Sequence, residues 1–145
     1  MNGRLAESDQ KAGFELLEHT GDAKMRAWAG TPTELFVRAA MGMMNYLFGD
    51  AVAQAQAEQT EVIRVDASDR EALLVDWLSE LLCRTATEYH AYVGFRVIEL
   101  TDRRLVARVS TVSAQAINDI KAVTHHELSI RKRNGGWEAN VVFDI

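Results

Sequence analysis

Residues 137–145 alternate between two sets of side chains, which limits what this part of the chain can form. The run reads Trp-Glu-Ala-Asn-Val-Val-Phe-Asp-Ile. A repeat of two residues is typical of a β-strand with one buried face. Because chain ends usually fray unless something holds them, a strand that continues to Asp144 predicts that the end of the chain is fixed in a sheet. The face predicted to be buried carries Trp137, Ala139, Val141 and Phe143, and the other face carries Glu138, Asn140, Val142 and Asp144.

Six further segments show strand patterns, and turn-forming residues join several of them in pairs. Thr20-Gly21-Asp22 tolerates a tight turn, and Asn134-Gly135-Gly136 is a strong hairpin signal. Residues 101–103 break a third pair, and residues 113–119 form a crossing segment. The predicted strands are Phe14–His19, Ala23–Ala29, Thr60–Asp66, Tyr92–Leu100, Arg104–Val112, Ile120–Arg131 and Gly136–Asp144.

Two amphipathic helices interrupt this series of strands. The first begins with a capping signal in which Thr31 caps, Pro32 suits the first turn and Glu34 completes a capping box. The second follows a similar signal that starts at Ser68, and it carries an apolar stripe at helical spacing through Trp77. The Ala- and Gln-rich segment 51–59, which lies between the first helix and the next strand, is either a surface loop or a short extra helix.

The order of these elements indicates an α+β fold, because the strands are joined mainly as hairpins rather than through helices. We expect the order β-β-α-β-α-β-β-β-β, with two helices packed on a mainly antiparallel or mixed sheet. At 145 residues the chain has the length of a single compact domain. Residues 13–145 are assigned to this domain, and residues 1–12 are expected to be a flexible leader.

Charge and composition exclude several classes of protein. The net charge is −5 and the pI is about 5.4, which argues against strong direct binding of nucleic acid. The single cysteine, Cys83, cannot form an internal disulfide and has no zinc-type spacing. No apolar run approaches the roughly 20 residues of a membrane span, and no signal core is seen at the start. We therefore expect a cytoplasmic protein without membrane contact.

Three acidic groups are candidates for a cation site. Asp22 lies at a predicted turn, while Asp144 and the terminal carboxylate of Ile145 lie at the chain end. Neighbouring anionic groups repel each other unless a cation or a basic group lies between them. Hard cations such as Ca²⁺ and Mg²⁺ bind several oxygen ligands of this kind. The alternative is that Asp22 only stabilises its turn and that Asp144 is a solvated strand end.

Other polar residues are candidates for lesser roles. On a regular strand His125 and His126 point to opposite faces, so a site with two histidine ligands would need a bulge; His126 is expected to be partly buried, and His125 to pair with Glu127 at the surface. Lys121 could approach a carboxylate or a phosphate. Glu80 lies at the edge of the apolar stripe of the second helix. A carboxylate in such a position is usually only solvated, unless a partner such as His19 or Lys121 binds it. Since no catalytic motif is present, we do not expect an enzyme.

Several blocks of the sequence, taken in order, resemble the archease family, and the resemblance runs from about Phe14 to Ile145. Each block alone would be a weak match, but their order and spacing are specific. The chain departs from the family pattern at His125 and at Ser110-Thr111. The blocks are His19-Thr20-Gly21-Asp22-Ala23, Gly30-Thr31-Pro32-Thr33-Glu34-Leu35-Phe36, residues 73–82 (Leu-Leu-Val-Asp-Trp-Leu-Ser-Glu-Leu-Leu), Ile120-Lys121-Ala122-Val123-Thr124 and Val141-Val142-Phe143-Asp144-Ile145.

The resemblance implies a small α+β protein that assists the RtcB-type RNA ligase of tRNA splicing and RNA repair. Proteins of this type promote guanylylation and multiple turnover of the ligase and are not ligases themselves. The resemblance also implies a divalent-cation site, with calcium as the observed ion and magnesium or manganese as alternatives. Its ligands fall on Asp22, Asp144 and Ile145, and a candidate activation surface falls on Lys121, Glu80, His19 and His126.

Two other functions remain open from the sequence. One is a general chaperone or modulator of RNA-modifying enzymes that carries a structural metal. The other is a small metal-dependent phosphoesterase, for which a metal together with Lys121 and a histidine would be the minimum requirement.

Overall fold

A computed structural model describes residues 11–145 of the chain. The predicted order of seven strands and two helices is confirmed. The prediction of a flexible leader at residues 1–12 concerns mostly residues outside the described part. The strands are β1 (Gly13–His19), β2 (Asp22–Ala29), β3 (Gln59–Asp66), β4 (His90–Leu100), β5 (Arg104–Ser113), β6 (Ala122–Arg133) and β7 (Gly136–Asp144), and the helices are α1 (Pro32–Phe48) and α2 (Arg70–Glu88).

The strands form two separate sheets, and all the strand pairs within them are antiparallel. The first sheet has the order β1-β2-β7-β6, so strands from the two ends of the chain lie side by side. The second sheet has the order β3-β5-β4. The expectation of one mainly antiparallel or mixed sheet is therefore corrected in one respect, because the strands divide into two sheets and no parallel pair occurs among residues 11–145.

The two helices lie between the sheets. Helix α1 contacts β1, β2 and β7 of the first sheet and β4 of the second, while α2 contacts β6 of the first sheet and all three strands of the second. One hydrophobic core therefore includes side chains from both sheets and both helices. At its centre Trp77 is fully buried and donates a hydrogen bond from Nε1 to the carbonyl of Phe36, at 3.1 Å.

The helix starts agree with the sequence in position but differ in detail. Thr31 caps α1, and its hydroxyl accepts a hydrogen bond from the backbone N–H of Glu34 at 3.1 Å. Helix α2 is capped by Asp69 rather than by Ser68, through a 2.8 Å bond from Ala72 N–H. The segment between α1 and β3 begins with a short 3₁₀-helix, Asp50–Gln54, which resolves the alternative of loop or helix.

Strand β7 is more deeply buried than its alternation predicts. Of the expected core face, Ala139, Val141 and Phe143 are buried and Trp137 is partly buried, but Glu138 and Val142 on the other face are only 4% and 5% exposed. The reason is position, because β7 lies inside the four-stranded sheet between β2 and β6. Above Val142, Lys24 of β2 reaches Glu127 of β6 in a 3.1 Å ion pair. A strand with neighbours on both sides loses solvent contact even on its polar face.

Among residues 11–145, no helix combines the length and the hydropathy needed to cross a membrane.

Candidate metal centre

Asp22 and Asp144 lie directly opposite each other on neighbouring strands. They are register partners at the first residue of β2 and the last residue of β7. Residues so paired have Cβ atoms about 4.5–5.5 Å apart, and like charges in this position destabilise a sheet. The Oδ1 atom of Asp22 is buried and has no hydrogen-bond partner. A buried, unpaired carboxylate oxygen beside a second carboxylate is the arrangement that a bound cation would stabilise.

Backbone hydrogen bonds hold the chain end against this pair. Ile145 N–H donates to the carbonyl of Gly21 at 3.1 Å, and Lys121 N–H donates to the carbonyl of Asp144 at 2.7 Å. The side chain of Ile145 is partly buried against the core. Ile145 is therefore fixed through both its backbone and its side chain, next to the turn that precedes Asp22.

The donor set has the chemistry of a hard-cation site. The two side-chain carboxylates offer only oxygen atoms, which suit Ca²⁺, Mg²⁺ or Mn²⁺, and water can complete such a shell. Within residues 11–145, the Oδ1 atom of Asp22 receives no hydrogen bond, so this oxygen is left to a ligand from outside the described part of the chain. The residues at this end of the sheet therefore fit a divalent cation.

Two of the four candidate activation residues lie at the same end of the sheet. His19 is the register partner of Asp22 on β1, so it occupies the row that also holds Asp144. Lys121 precedes β6 and is bonded through its N–H to the Asp144 carbonyl. Both side chains are exposed. A cationic and a titratable side chain thus border the acidic pair and face solvent.

His126 is not partly buried as the strand pattern predicted. Its side chain is 70% exposed, and its Nε2 atom lies 3.4 Å from a carboxylate oxygen of Glu127. The register between β6 and β7 shifts between Thr124 and Ser129, and Glu127 has a positive φ of 56°. Strict alternation fails across this bulge, so the expected pair of His125 with Glu127 is replaced by pairs of Glu127 with Lys24 and His126.

Glu80 has a different partner from the two that the sequence suggested. Its carboxylate accepts a 2.7 Å hydrogen bond from Arg84 Nε one helical turn later. The same guanidinium donates to Glu61 of β3 at 2.6 Å. Neither His19 nor Lys121 is among the bonded partners of Glu80 in residues 11–145, and the carboxylate belongs to an ion-pair network between α2 and the second sheet.

This network extends to a group of possible ligands that sequence reasoning missed. Glu61, Glu88 and His90 each offer one ligand atom, and these atoms lie within 4.8 Å of one another. However, Glu61 already bonds Arg84, and Nδ1 of His90 lies 3.6 Å from a Glu88 oxygen. A cation here would have to compete with the Arg84 guanidinium, so we interpret the group as a protein ion-pair network. The residues come from three elements, and no sequence spacing predicts their meeting.

A second charged centre lies at the opposite end of the first sheet. Glu138, whose side chain is 5% exposed, accepts from Arg26 Nη1 at 2.7 Å and from Arg133 Nη1 at 2.9 Å. Burial alone would raise the pKa of this carboxyl, but the two guanidinium groups hold it below its usual range. A surface groove of about 1270 Å³ opens here between Trp28 and Trp137. The Trp28–Glu138 register pair at this groove lies six positions from the Asp22–Asp144 pair along β2 and β7, so the groove is not part of the acidic site.

The fold and the acidic site together define a small three-layer α+β protein with an oxygen-rich candidate cation site at one sheet end. The sequence matches the Archease protein family over residues 14–145. It is 34% identical over 141 residues to protein archease of Methanosarcina mazei, covering 91% of this chain and 95% of that protein. Protein archease of Methanosarcina barkeri is 34% identical over 147 residues, covering 95% and 99%. The chain belongs to the archease family.

Solved structures agree with this assignment. The solution structure of protein 1598 of Methanobacterium thermoautotrophicum matches with a TM-score of 0.73 and 26% identity, covering 92% of this chain and 99% of that one. The crystal structure of an archease from Thermotoga maritima, described as a possible chaperone, matches with a TM-score of 0.66 and 17% identity, covering 90% and 96%. At that identity the second likeness bears on the fold alone.

Proposed function

We propose that the chain is a metal-binding protein cofactor that promotes guanylylation and multiple turnover of an RtcB-type RNA ligase in the cytoplasm, and that it is not itself an enzyme. The choice of the ligase as partner rests on what the resemblance to archease proteins implies, and the chain belongs to that family. The observation that supports a metal site is the cross-strand pair of Asp22 and Asp144, together with the unpartnered Oδ1 atom of Asp22. The net charge of −5 suits a helper whose partner, rather than the helper, holds the RNA.

Each residue of the site has a role in this proposal. Asp22, Asp144 and the carboxylate of Ile145 hold the divalent cation, which is calcium, magnesium or manganese. The cation supplies positive charge at an exposed sheet end. His19 and Lys121, which border the acidic pair, form one part of the activation surface, while His126 in the β6 bulge and Glu80 on α2 are the other two candidates.

The function is tested by a guanylylation assay of the cognate ligase, titrated with this protein in the presence of Ca²⁺, Mg²⁺ or Mn²⁺ and again with EDTA. We expect the wild-type protein to increase the rate of ligase–GMP formation, and the Asp22→Asn and Asp144→Asn proteins to lose most of this effect. Asp76→Asn removes one exposed carboxylate of α2 and serves as the matched control. Equal stimulation by all four proteins would refute the site assignment, and no stimulation by the wild type would refute the ligase function.

The position of the terminal carboxylate allows a second test. Adding a short Gly-Ser tail after Ile145 moves that carboxylate away while leaving the Gly21–Ile145 hydrogen bond intact. We expect weaker cation binding by calorimetry and an unchanged unfolding temperature in EDTA. The same tail placed at the other end of the chain is the control. Unchanged cation affinity in the C-terminally extended protein would show that the terminus contributes no ligand.

A chaperone role is the second candidate, because the related Thermotoga protein is described as a possible chaperone. In that case the protein would suppress aggregation of an RNA-modifying enzyme on heating without changing the rate of ligase guanylylation. Light scattering of such a client, measured beside the ligase assay, distinguishes the two functions.

A further inference from the structure

The outer face of the second sheet is an arginine-rich surface that the proposed ligase function does not use. The inner residues of β3 and β5, such as Ile63 and Ala107, are fully buried under the helices. The alternate residues of the two strands therefore point away from the core. We call this outer surface the arginine face; its members are Thr60, Val62, Arg64, Asp66, Arg104, Val106, Arg108 and Ser110, with Arg96 and Glu99 of β4 opposite them.

Two arginines of this face lie directly opposite each other. Arg96 of β4 is the register partner of Arg108 of β5, and both are exposed. Within residues 11–145, neither guanidinium forms an ion pair or a side-chain hydrogen bond. Like charges in this position destabilise a sheet. An anionic group between them would remove that cost, because one guanidinium can bind a carboxylate through two hydrogen bonds.

The rest of the face does not neutralise this pair. Asp66 is shared between Arg64 at 3.1 Å and Arg104 at 2.8 Å, so its charge is already engaged. The pKa of Asp66 is lowered by these two arginines, first by Arg104. The face therefore carries four arginines against two carboxylates in a protein whose net charge is −5. This charge asymmetry favours an anionic partner.

Apolar side chains on the same surface narrow the class of partner. Val62, which is the register partner of Arg108 on β3, is 50% exposed, and Ile98 in the neighbouring bulge of β4 is 56% exposed. No aromatic residue is among the outward positions of the arginine face, so nucleobases find no aromatic ring on which to stack. Arginine is enriched at protein interfaces, and a partner with aliphatic side chains would cover Val62 and Ile98, which a sugar–phosphate backbone would leave in water.

The size of the face indicates a segment rather than a whole domain. Three strands at about 4.8 Å spacing and eight residues at about 3.3 Å each give a surface of roughly 14 by 26 Å. This is well below the roughly 800 Å² per partner of a standard interface between two folded proteins. We propose that the arginine face binds an acidic segment of a partner protein, with carboxylates between Arg96 and Arg108 and aliphatic side chains against Val62 and Ile98.

The test uses a labelled 12-residue peptide of alternating glutamate and leucine, a 12-nucleotide single-stranded RNA, and a lysine–leucine peptide of the same length. Binding is measured by fluorescence anisotropy at low and at 0.3 M salt. We expect the wild-type protein to bind the glutamate–leucine peptide in preference to the other two, with an affinity that falls as salt rises. The Arg96→Gln/Arg108→Gln protein is expected to bind it about fivefold or more weakly, the effect of losing two surface charge contacts.

A double variant of the first sheet, Arg131→Gln/Lys132→Gln, removes the same net charge from another surface and is expected to bind like the wild type. Because Arg96 and Arg108 repel each other, their replacement should leave the unfolding temperature unchanged or raised, which separates lost binding from lost folding. Equal peptide binding by both double variants would overturn the proposal, as would absence of peptide binding by the wild type. Preferential binding of the RNA, lost in the Arg96→Gln/Arg108→Gln protein, would assign the face to a phosphate backbone instead.

Discussion

At the scale of single residues, the two ends of the β2–β7 strand pair hold carboxylates in two different environments. Asp22 faces Asp144 without a basic partner for its Oδ1 atom, whereas Glu138 is enclosed by Arg26 and Arg133. The sequence predicted that Asp22 and Asp144 could come together, because a turn and the end of a strand are recognisable from local patterns. It did not predict the second environment, because the partners of Glu138 are set by strand register, which is a non-local property.

The buried carboxylate of Glu138 should make stability depend on pH. Its pKa lies below the ordinary value of 4.5, so its contribution to stability is present above about pH 5 and is lost as pH falls through the folded-state pKa. We expect Glu138→Gln to lower the free energy of unfolding by about 1–3 kcal/mol at pH 7, since two guanidinium groups lose their charged partner. Urea unfolding at pH 7 and at pH 3.5 measures this, and the difference between wild type and variant should shrink at the lower pH.

Glu15→Gln is the matched control for this prediction. Glu15 also bonds Arg26, at 2.9 Å, but its side chain is 60% exposed. Exposed ion pairs contribute little, so this variant should unfold like the wild type at both pH values. Equal free energies of unfolding for Glu15→Gln and Glu138→Gln would show that burial does not increase the contribution of the Glu138 ion pairs to stability.

At the scale of secondary-structure elements, propensity and capping located the helices, while departures from regular strand geometry escaped prediction. The bulge of β6 is the example, because Glu127 adopts a positive φ at a position where the sequence His-His-Glu carries no glycine to signal it. The bulge also affects the candidate site, because His126 was predicted to be partly buried and is in fact exposed. A period of two predicts a strand but not where its register slips.

The hairpin that leads into β7 approaches β2 so closely that it depends on the absence of a side chain. A Cβ added to Gly136 would lie 2.6 Å from the carbonyl oxygen of Ala29, whereas a Cβ on Gly30 would meet nothing within 4 Å. We expect Gly136→Ala to cost about 1–3 kcal/mol, the range for overpacking, because the obstructing atom belongs to the backbone of a paired strand. Gly30→Ala is the control and should be nearly neutral in chemical denaturation.

The same pair of variants also tests the independence of the two ends of the sheet. Gly136 lies at the end of β7 that is remote from Asp144, so cation affinity of the folded Gly136→Ala protein should match that of the wild type. Equal stability of the two alanine variants would show that the β2–β7 end can relax to accept a methyl group.

At the scale of the whole molecule, element order was predictable and the division into two sheets was not. Hairpin signals fix which strands pair with their sequence neighbours, but they do not place β2 beside β7, which requires contacts across the whole chain length. The division into two sheets is indicated by the helices instead, because each helix has an apolar surface wide enough to pack against a sheet on two sides. Leu35 and Met43 of α1 and Leu73, Leu74, Leu78 and Leu81 of α2 are all fully buried.

A helical layer shared by two sheets predicts that neither sheet unfolds without the other. Leu78 is fully buried in the single core cluster that joins both sheets, so Leu78→Ala should lower the free energy of unfolding by about 2–5 kcal/mol. The urea midpoints from far-ultraviolet circular dichroism, which reports strands and helices, and from tryptophan fluorescence should coincide in the wild type and shift together in the variant. Leu17→Ala, at a side chain that is 62% exposed, is the control and should leave both midpoints unchanged. If the two probes separated in Leu78→Ala, the sheets would be distinct cooperative units, and the proposed cation site on the first sheet could then form without the arginine face on the second.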